Sequence, residues 1–110
     1  MIIIVNDIIL NKYETIHKCL KRINEDYTVE PDTFLKNHTR QDAVILNLER
    51  ASQASIDIAA HLVRVKKIGV PQATRELFKL LEEQTFLSIE TSNNMQKMVG
   101  FRNIAVHDCS

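Results

Sequence analysis

Apolar positions along this chain fall into stripes with helical spacing. Ile9, Tyr13, Ile16, Leu20, Ile23 and Tyr27 alternate in steps of four and three, which describes one face of a helix about five turns long. Asn6 or Asp7 precedes the stripe. A short side-chain oxygen there satisfies free amides of a first turn, so the first helix is predicted to begin at that cap. Thr28 to Asn37 contains Pro31-Asp32 and no periodicity, and is predicted as a loop. The next seam is Val44, Leu48, Ala51, Ser55, Ile58, Leu62 and Val65. A parallel stripe of Ile45, Ser52, Ile56, Ala59 and Val63 widens it. Together they predict a central, buried helix from Asn37 or Thr39 to about Lys67, closed by Gly69 at C′ and followed by Pro71.

A third helix is predicted from about Gln72 to Gln84, with Leu77, Leu80 and Leu81 inward, then a bend over Thr85 to Ser88. A fourth runs from about Glu90 to at least Val106, with Met95, Met98, Val99 and Val106 on its apolar side. There is no strand alternation, internal repeat or low-complexity segment. The fold class is therefore all-α, an antiparallel helical bundle forming a single domain over residues 1–110.

Charge and composition narrow the function classes. Lys plus Arg and Asp plus Glu are 14 each, so the formal net charge is zero. No global field draws nucleic acid, and a site for it must be local or made by assembly. Cys19 and Cys109 lack CxxC spacing and no export signal precedes them, so they read as free thiols in a reducing cytoplasm. The run Met1-Ile2-Ile3-Ile4-Val5 is far short of the ~20 residues that span a bilayer and lacks a basic flank. It reads as an N-terminal extension, or as a start codon placed early. His17 and Cys19 do not share a helix face, no second pair matches them, and no metal site is expected. No Gly-rich phosphate loop or nucleophile elbow is present, and no cofactor is expected.

Candidate chemistry gathers at the end of the fourth helix. Arg102 falls within the stripe of Met95, Met98, Val99 and Val106. An inward guanidinium needs an anionic or hydrogen-bonding partner, because burying it unpaired costs several kcal/mol. The alternative is an arginine at the bundle rim, snorkelling or paired with a carboxylate. Asn103 and His107 are four apart and lie over one another, so Asn103 either orients the imidazole or forms an ordinary surface pair with it. Arg102 and His107 are about 140° apart around a regular helix, with about 7.5 Å of rise. To meet on one phosphate they need a helix end or bend near Val106, a long reach by the arginine, or a second subunit. Gly100, costly inside a helix, suits close approach of a neighbouring helix. Asp57 shares a face with Arg50, His61 and Arg64, and either supports this site through Arg102 or belongs to a solvated stripe.

The segment Lys97-Met98-Val99-Gly100-Phe101-Arg102-Asn103-Ile104-Ala105-Val106-His107-Asp108 resembles the signature of the HepT-like proteins, ribonuclease toxins of the HEPN superfamily. The resemblance extends to residues 6–12, 42–50, 55–61 and 71–81, nearly the whole chain. It implies a five-helix HEPN bundle that forms a homodimer, with the Arg-x4-His motifs of two protomers lining a shared cleft. It implies RNA as substrate, not DNA, cut without metal when a 2′-hydroxyl attacks the adjacent phosphate. Arg102 would hold the phosphate, His107 would move the proton, and Asn103 would support it. The implied partner is a nucleotidyltransferase antitoxin of the MntA type, which transfers AMP to a tyrosine two residues after the histidine.

Two features depart from that pattern. Cys109 occupies the tyrosine position, so the hydroxyl acceptor of AMP is absent. The chain also stops at Ser110, so four helices are expected with the family's final helix missing. Beside a cytoplasmic type VII-like toxin, two further readings follow: a non-catalytic accessory subunit that binds the nucleotidyltransferase, and an inactive remnant.

Overall fold

The structure, a computed structural model, describes the backbone of residues 2–28 and 36–109 and the side chains of residues 7–26 and 36–104. Among the described residues the regular elements are four α-helices: α1 (Ile2–Thr28), α2 (His38–Val65), α3 (Thr74–Glu83) and α4 (Ile89–Cys109). Contacts divide the chain into two compact units, residues 1–55 and 56–110, and the division falls inside α2.

In the first unit, α1 begins four residues before the expected cap, so Asn6 and Asp7 lie within the helix. Its protected face is also rotated from the predicted stripe. Cys19 is buried and is a free thiol, and Ile9, Ile16 and Ile23 are half-buried, whereas Tyr13 and Leu20 are exposed. Tyr13 instead stacks on His17 one turn later, their ring centroids 5.8 Å apart. Asn37 caps α2 as expected, its Oδ1 accepting the Arg40 N–H at 3.1 Å. The buried line on this part of α2 is Val44, Asn47, Ala51 and Ala54, while Ile45 and Leu48 stay exposed. Asn47 donates its Nδ2 to the Ala43 carbonyl at 3.0 Å, while its buried Oδ1 has no partner among the described residues.

The second unit holds the hydrophobic core. Ile56, Ala59 and Val63 of α2 meet Leu77, Phe78 and Leu81 of α3 and Val99 of α4. The α2 contribution is thus the parallel stripe rather than the seam that ends in Val65, which is exposed. On α3, Phe78 is buried along with Leu77 and Leu81, and Leu80 is only partly buried.

Helix ends in this unit are made without glycine. After α2 the Ile68 N–H donates to the Val63 carbonyl at 3.1 Å and the Lys67 N–H to that of Arg64 at 3.2 Å. After α3 the Phe86 N–H reaches Leu81 and the Thr85 N–H reaches Glu82, both at 2.9 Å. Both patterns are Schellman motifs, whose C′ residue must enter the left-handed region. Lys67 and Thr85 occupy it, with φ of 52° and 64°. Gly69, the expected C′ residue, lies two positions later, and its φ is not positive.

Candidate functional site

The N-terminus of α4 is set by Ser88, whose hydroxyl oxygen accepts the Thr91 N–H at 3.1 Å. From there the helix continues to Cys109. Ser92 on its inner face is fully buried, donates to the Phe78 carbonyl of α3 at 3.1 Å and accepts from Gln96 Nε2 at 3.0 Å. Together with Val99 in the core, this polar link fixes the rotation of α4 about its axis. Every later residue on α4 inherits its direction from that anchor.

Arg102 follows Val99 by three residues and is half-buried. Its Nε is closed off from solvent and has no hydrogen-bond partner among the described residues. No described carboxylate forms an ion pair with it. Among the described residues, Arg102 is thus not the carboxylate-paired rim arginine weighed above. Asn103 is exposed. The side chains of His107 and Cys109 lie outside the described residues, but their backbone belongs to α4. The helix does not end near Val106, so positions 102 and 107 keep the separation of a regular helix, about 140° and about 7.5 Å of rise.

Asp57 is half-buried on α2 and already has an interaction partner, so it is not a spare carboxylate. The stripe it belongs to is not uniformly solvated. His61 is buried, with Nδ1 3.2 Å from Arg64 Nη2. Because the guanidinium can only donate, Nδ1 accepts and the ring proton resides on Nε2, which has no partner among the described residues. Arg50 and Arg64 are exposed.

Gly100 does receive a close neighbour, but it is a side chain rather than a helix backbone. The Arg75 guanidinium of α3 lies in the space that a Cβ at position 100 would enter, against its Nη2. Arg75 and Ser92 both escaped the sequence reading. A glycine deep in a helix was the available signal for the first; a small polar residue in register with Met95 and Val99 was the signal for the second. Among the described residues no cluster of three His, Cys, Asp or Glu side chains is placed to hold a metal, and no helix is long and apolar enough to cross a membrane.

This all-helical fold is that of the HEPN toxins crystallised with their antitoxins. The profile of the ribonuclease HepT-like family matches residues 9–109, and the chain belongs to that family. It is 48% identical over 103 residues to an mRNA nuclease HepT of Shewanella oneidensis, covering 94% of this chain and 77% of that protein. A crystal structure of a toxin–antitoxin with AMP-PNP is similar with a TM-score of 0.88 at 47% identity, covering 94% of this chain and 78% of its counterpart. A tri-AMPylated Shewanella oneidensis HEPN toxin in complex with its MNT antitoxin is similar with a TM-score of 0.87 at 47% identity, covering 94% and 77%.

Proposed function

We propose that this protein is a cytoplasmic endoribonuclease toxin that cleaves RNA without a metal, using Arg102 and His107. The observation that carries the reading is Arg102 itself, a half-buried guanidinium on α4 with no carboxylate partner among the described residues and a shielded, unpaired Nε. Such a group suits a phosphate, whose oxygens accept the planar donors and whose charge grows as the phosphorus becomes pentacoordinate. Support comes from the family, in which a relative is named an mRNA nuclease.

In the reaction, the ribose 2′-oxygen forms a bond to phosphorus while the bond to the leaving 5′-oxygen breaks. The 2′-hydroxyl gives up a proton and the departing oxygen gains one. An imidazole titrates near neutral pH and serves in both directions, and His107 fills that role. Asn103, one turn before it, supports the ring. Asp57 contributes from α2 as a support rather than as a reacting group. Since α4 keeps positions 102 and 107 on different sides, two copies of the chain facing each other supply the phosphate clamp and the proton carrier to one cleft.

A nucleotidyltransferase antitoxin is the proposed partner, on the strength of the MNT complexes formed by the relatives. Cys109 offers it a thiol where the resembling toxins offer a tyrosine hydroxyl. AMP transfer to position 109 is therefore expected only after Cys109→Tyr, read as a mass increase with ATP and the partner enzyme.

The deciding experiment is cleavage of total RNA in EDTA by the purified protein beside Arg102→Ala and His107→Ala. Loss of one transition-state donor or proton carrier costs about 10²- to 10³-fold. Cleavage by the wild type and losses of that size in both variants are expected. A folded wild type that cuts nothing, yet binds the nucleotidyltransferase, would establish the accessory-subunit reading instead.

A further inference from the structure

α3 and α4 leave an open groove of about 570 Å³ on their outer side, away from the Val99 core. Among the described residues, Arg75 and Lys97 are the ionised side chains that line it. Neither has a carboxylate partner among the described residues, and Glu76 and Glu82 on α3 are engaged elsewhere. Glu76 accepts the Gln72 N–H at 2.7 Å, and Glu82 accepts from Lys79 at 3.0 Å. The groove is thus locally cationic on a chain with no net charge.

Gly100 makes this arrangement possible. With no side chain there, the Arg75 guanidinium crosses from α3 and lies on α4, close to the turn that carries Lys97. Beside the two cations stand Phe101 and Ile104, 66% and 62% exposed. A flat aromatic face next to paired cations matches a single strand of nucleic acid, which offers phosphates and a base plane together. The helix register links the groove to the cutting motif. Seven residues separate Gly100 from position 107, which is two turns, about 10.5 Å of rise and only about 20° of rotation. That is about three nucleotides of a stacked strand.

We propose that this groove is a subsite for single-stranded RNA, Arg75 and Lys97 holding phosphates and Phe101 stacking on a base, about three nucleotides from the bond cut at His107. The inference rests on the RNA-cleavage reading above and assigns it a path for the substrate. It predicts a preference for unpaired RNA, since a base in a duplex cannot turn onto Phe101.

Binding is measured by fluorescence anisotropy with a short, labelled, single-stranded RNA carrying 2′-O-methyl groups throughout, which the protein cannot cut. The full chain is compared with Arg75→Gln/Lys97→Gln, Phe101→Ala and Lys66→Gln over a series of salt concentrations. All of Arg75, Lys97 and Phe101 are exposed, and thermal melts confirm that each variant folds. The double variant is expected to bind at least about tenfold more weakly at low salt. Its log–log salt slope should fall by about 1.4, since each phosphate contact on a single strand contributes about 0.7. Phe101→Ala should lose at least about fivefold, and Lys66→Gln, a cation outside the groove lining, should bind as the wild type does. If the wild type cuts RNA while the double variant keeps its affinity and salt slope, the subsite is overturned and the cleavage reading stands. If the wild type binds through Arg75 and Lys97 but cuts nothing, the subsite stands and the cleavage reading falls. Unchanged RNA binding with a weakened nucleotidyltransferase complex would make the groove a protein-docking face and overturn the proposal.

Discussion

The guanidinium of Arg75 occupies the place where Gly100 lacks a side chain, so one residue's absence of atoms holds the other's charge on α4. Gly100→Ala therefore has two separable effects. Alanine gains about 1 kcal/mol of helix propensity at an interior position. The flexible end of Arg75 moves aside at small cost. A net gain of up to about 1 kcal/mol is expected in urea denaturation, together with weaker binding of the 2′-O-methyl RNA. A variant whose RNA affinity is unaltered would show that Arg75 does its work elsewhere.

Ser92 is buried with both of its hydrogen bonds made inside the protein, one to the Phe78 carbonyl and one from Gln96. Ser92→Ala removes the link between α3 and α4 and strips Gln96 Nε2 of its acceptor. The expected loss is about 1–2 kcal/mol. Because the anchor sets the rotation of α4, RNA cleavage should fall more than the melting curve alone accounts for. Comparing activity at a temperature where both proteins are fully folded separates the two.

Lys67 and Thr85 hold left-handed backbone at the ends of α2 and α3, where a Cβ is unfavourable by about 1–2 kcal/mol. Glycine removes that strain but raises the entropy of the unfolded chain, so each of Lys67→Gly and Thr85→Gly is expected to stabilise by up to about 1 kcal/mol. Thr85 should gain more, since β-branched residues fit this region worst. The two turns are separate, and the double variant should show the sum. Calorimetry of all three proteins tests this.

The Lys79 hydrogen bond holds the Glu82 carboxyl below its ordinary 4.5, with partial burial pulling the other way. A carboxyl whose folded pKa is depressed adds stability above its unfolded pKa and loses it as pH falls through the folded value. The pair should therefore stabilise the protein fully above about pH 4.5 and stop doing so in more acidic solution. Lys79→Met is expected to flatten the melting temperature against pH below that point and leave its slope near neutrality unchanged.

Much of the architecture was legible in the spacing of apolar residues, because four helices each bury one face. The exact faces were less so. Tyr13 and Leu20 fit the α1 stripe by type, yet the buried line follows Ile9, Ile16, Cys19 and Ile23, and Tyr13 stacks on His17 instead. The closure of α2 at Gly69 is misplaced, since no local signal marks Lys67, whereas the end of α3 at about Gln84 and the bend from Thr85 agree with the structure. Phe101 and Ile104 place apolar surface on the outside of α4 and obscure its inner face. Arg102 was found because it interrupts an apolar stripe. The groove was missed because its two cations stand 22 positions apart on different helices and meet only through the missing side chain of Gly100.

The continuity of α4 through position 107 has a genetic consequence. In the two-chain cleft proposed above, one copy supplies the phosphate clamp and the other the proton carrier, so a chain defective in one function can be complemented by a chain defective in the other. Cells that express Arg102→Ala and His107→Ala together should regain toxicity that neither allele has alone, because the shared cleft of a mixed pair would combine the intact arginine of one copy with the intact histidine of the other.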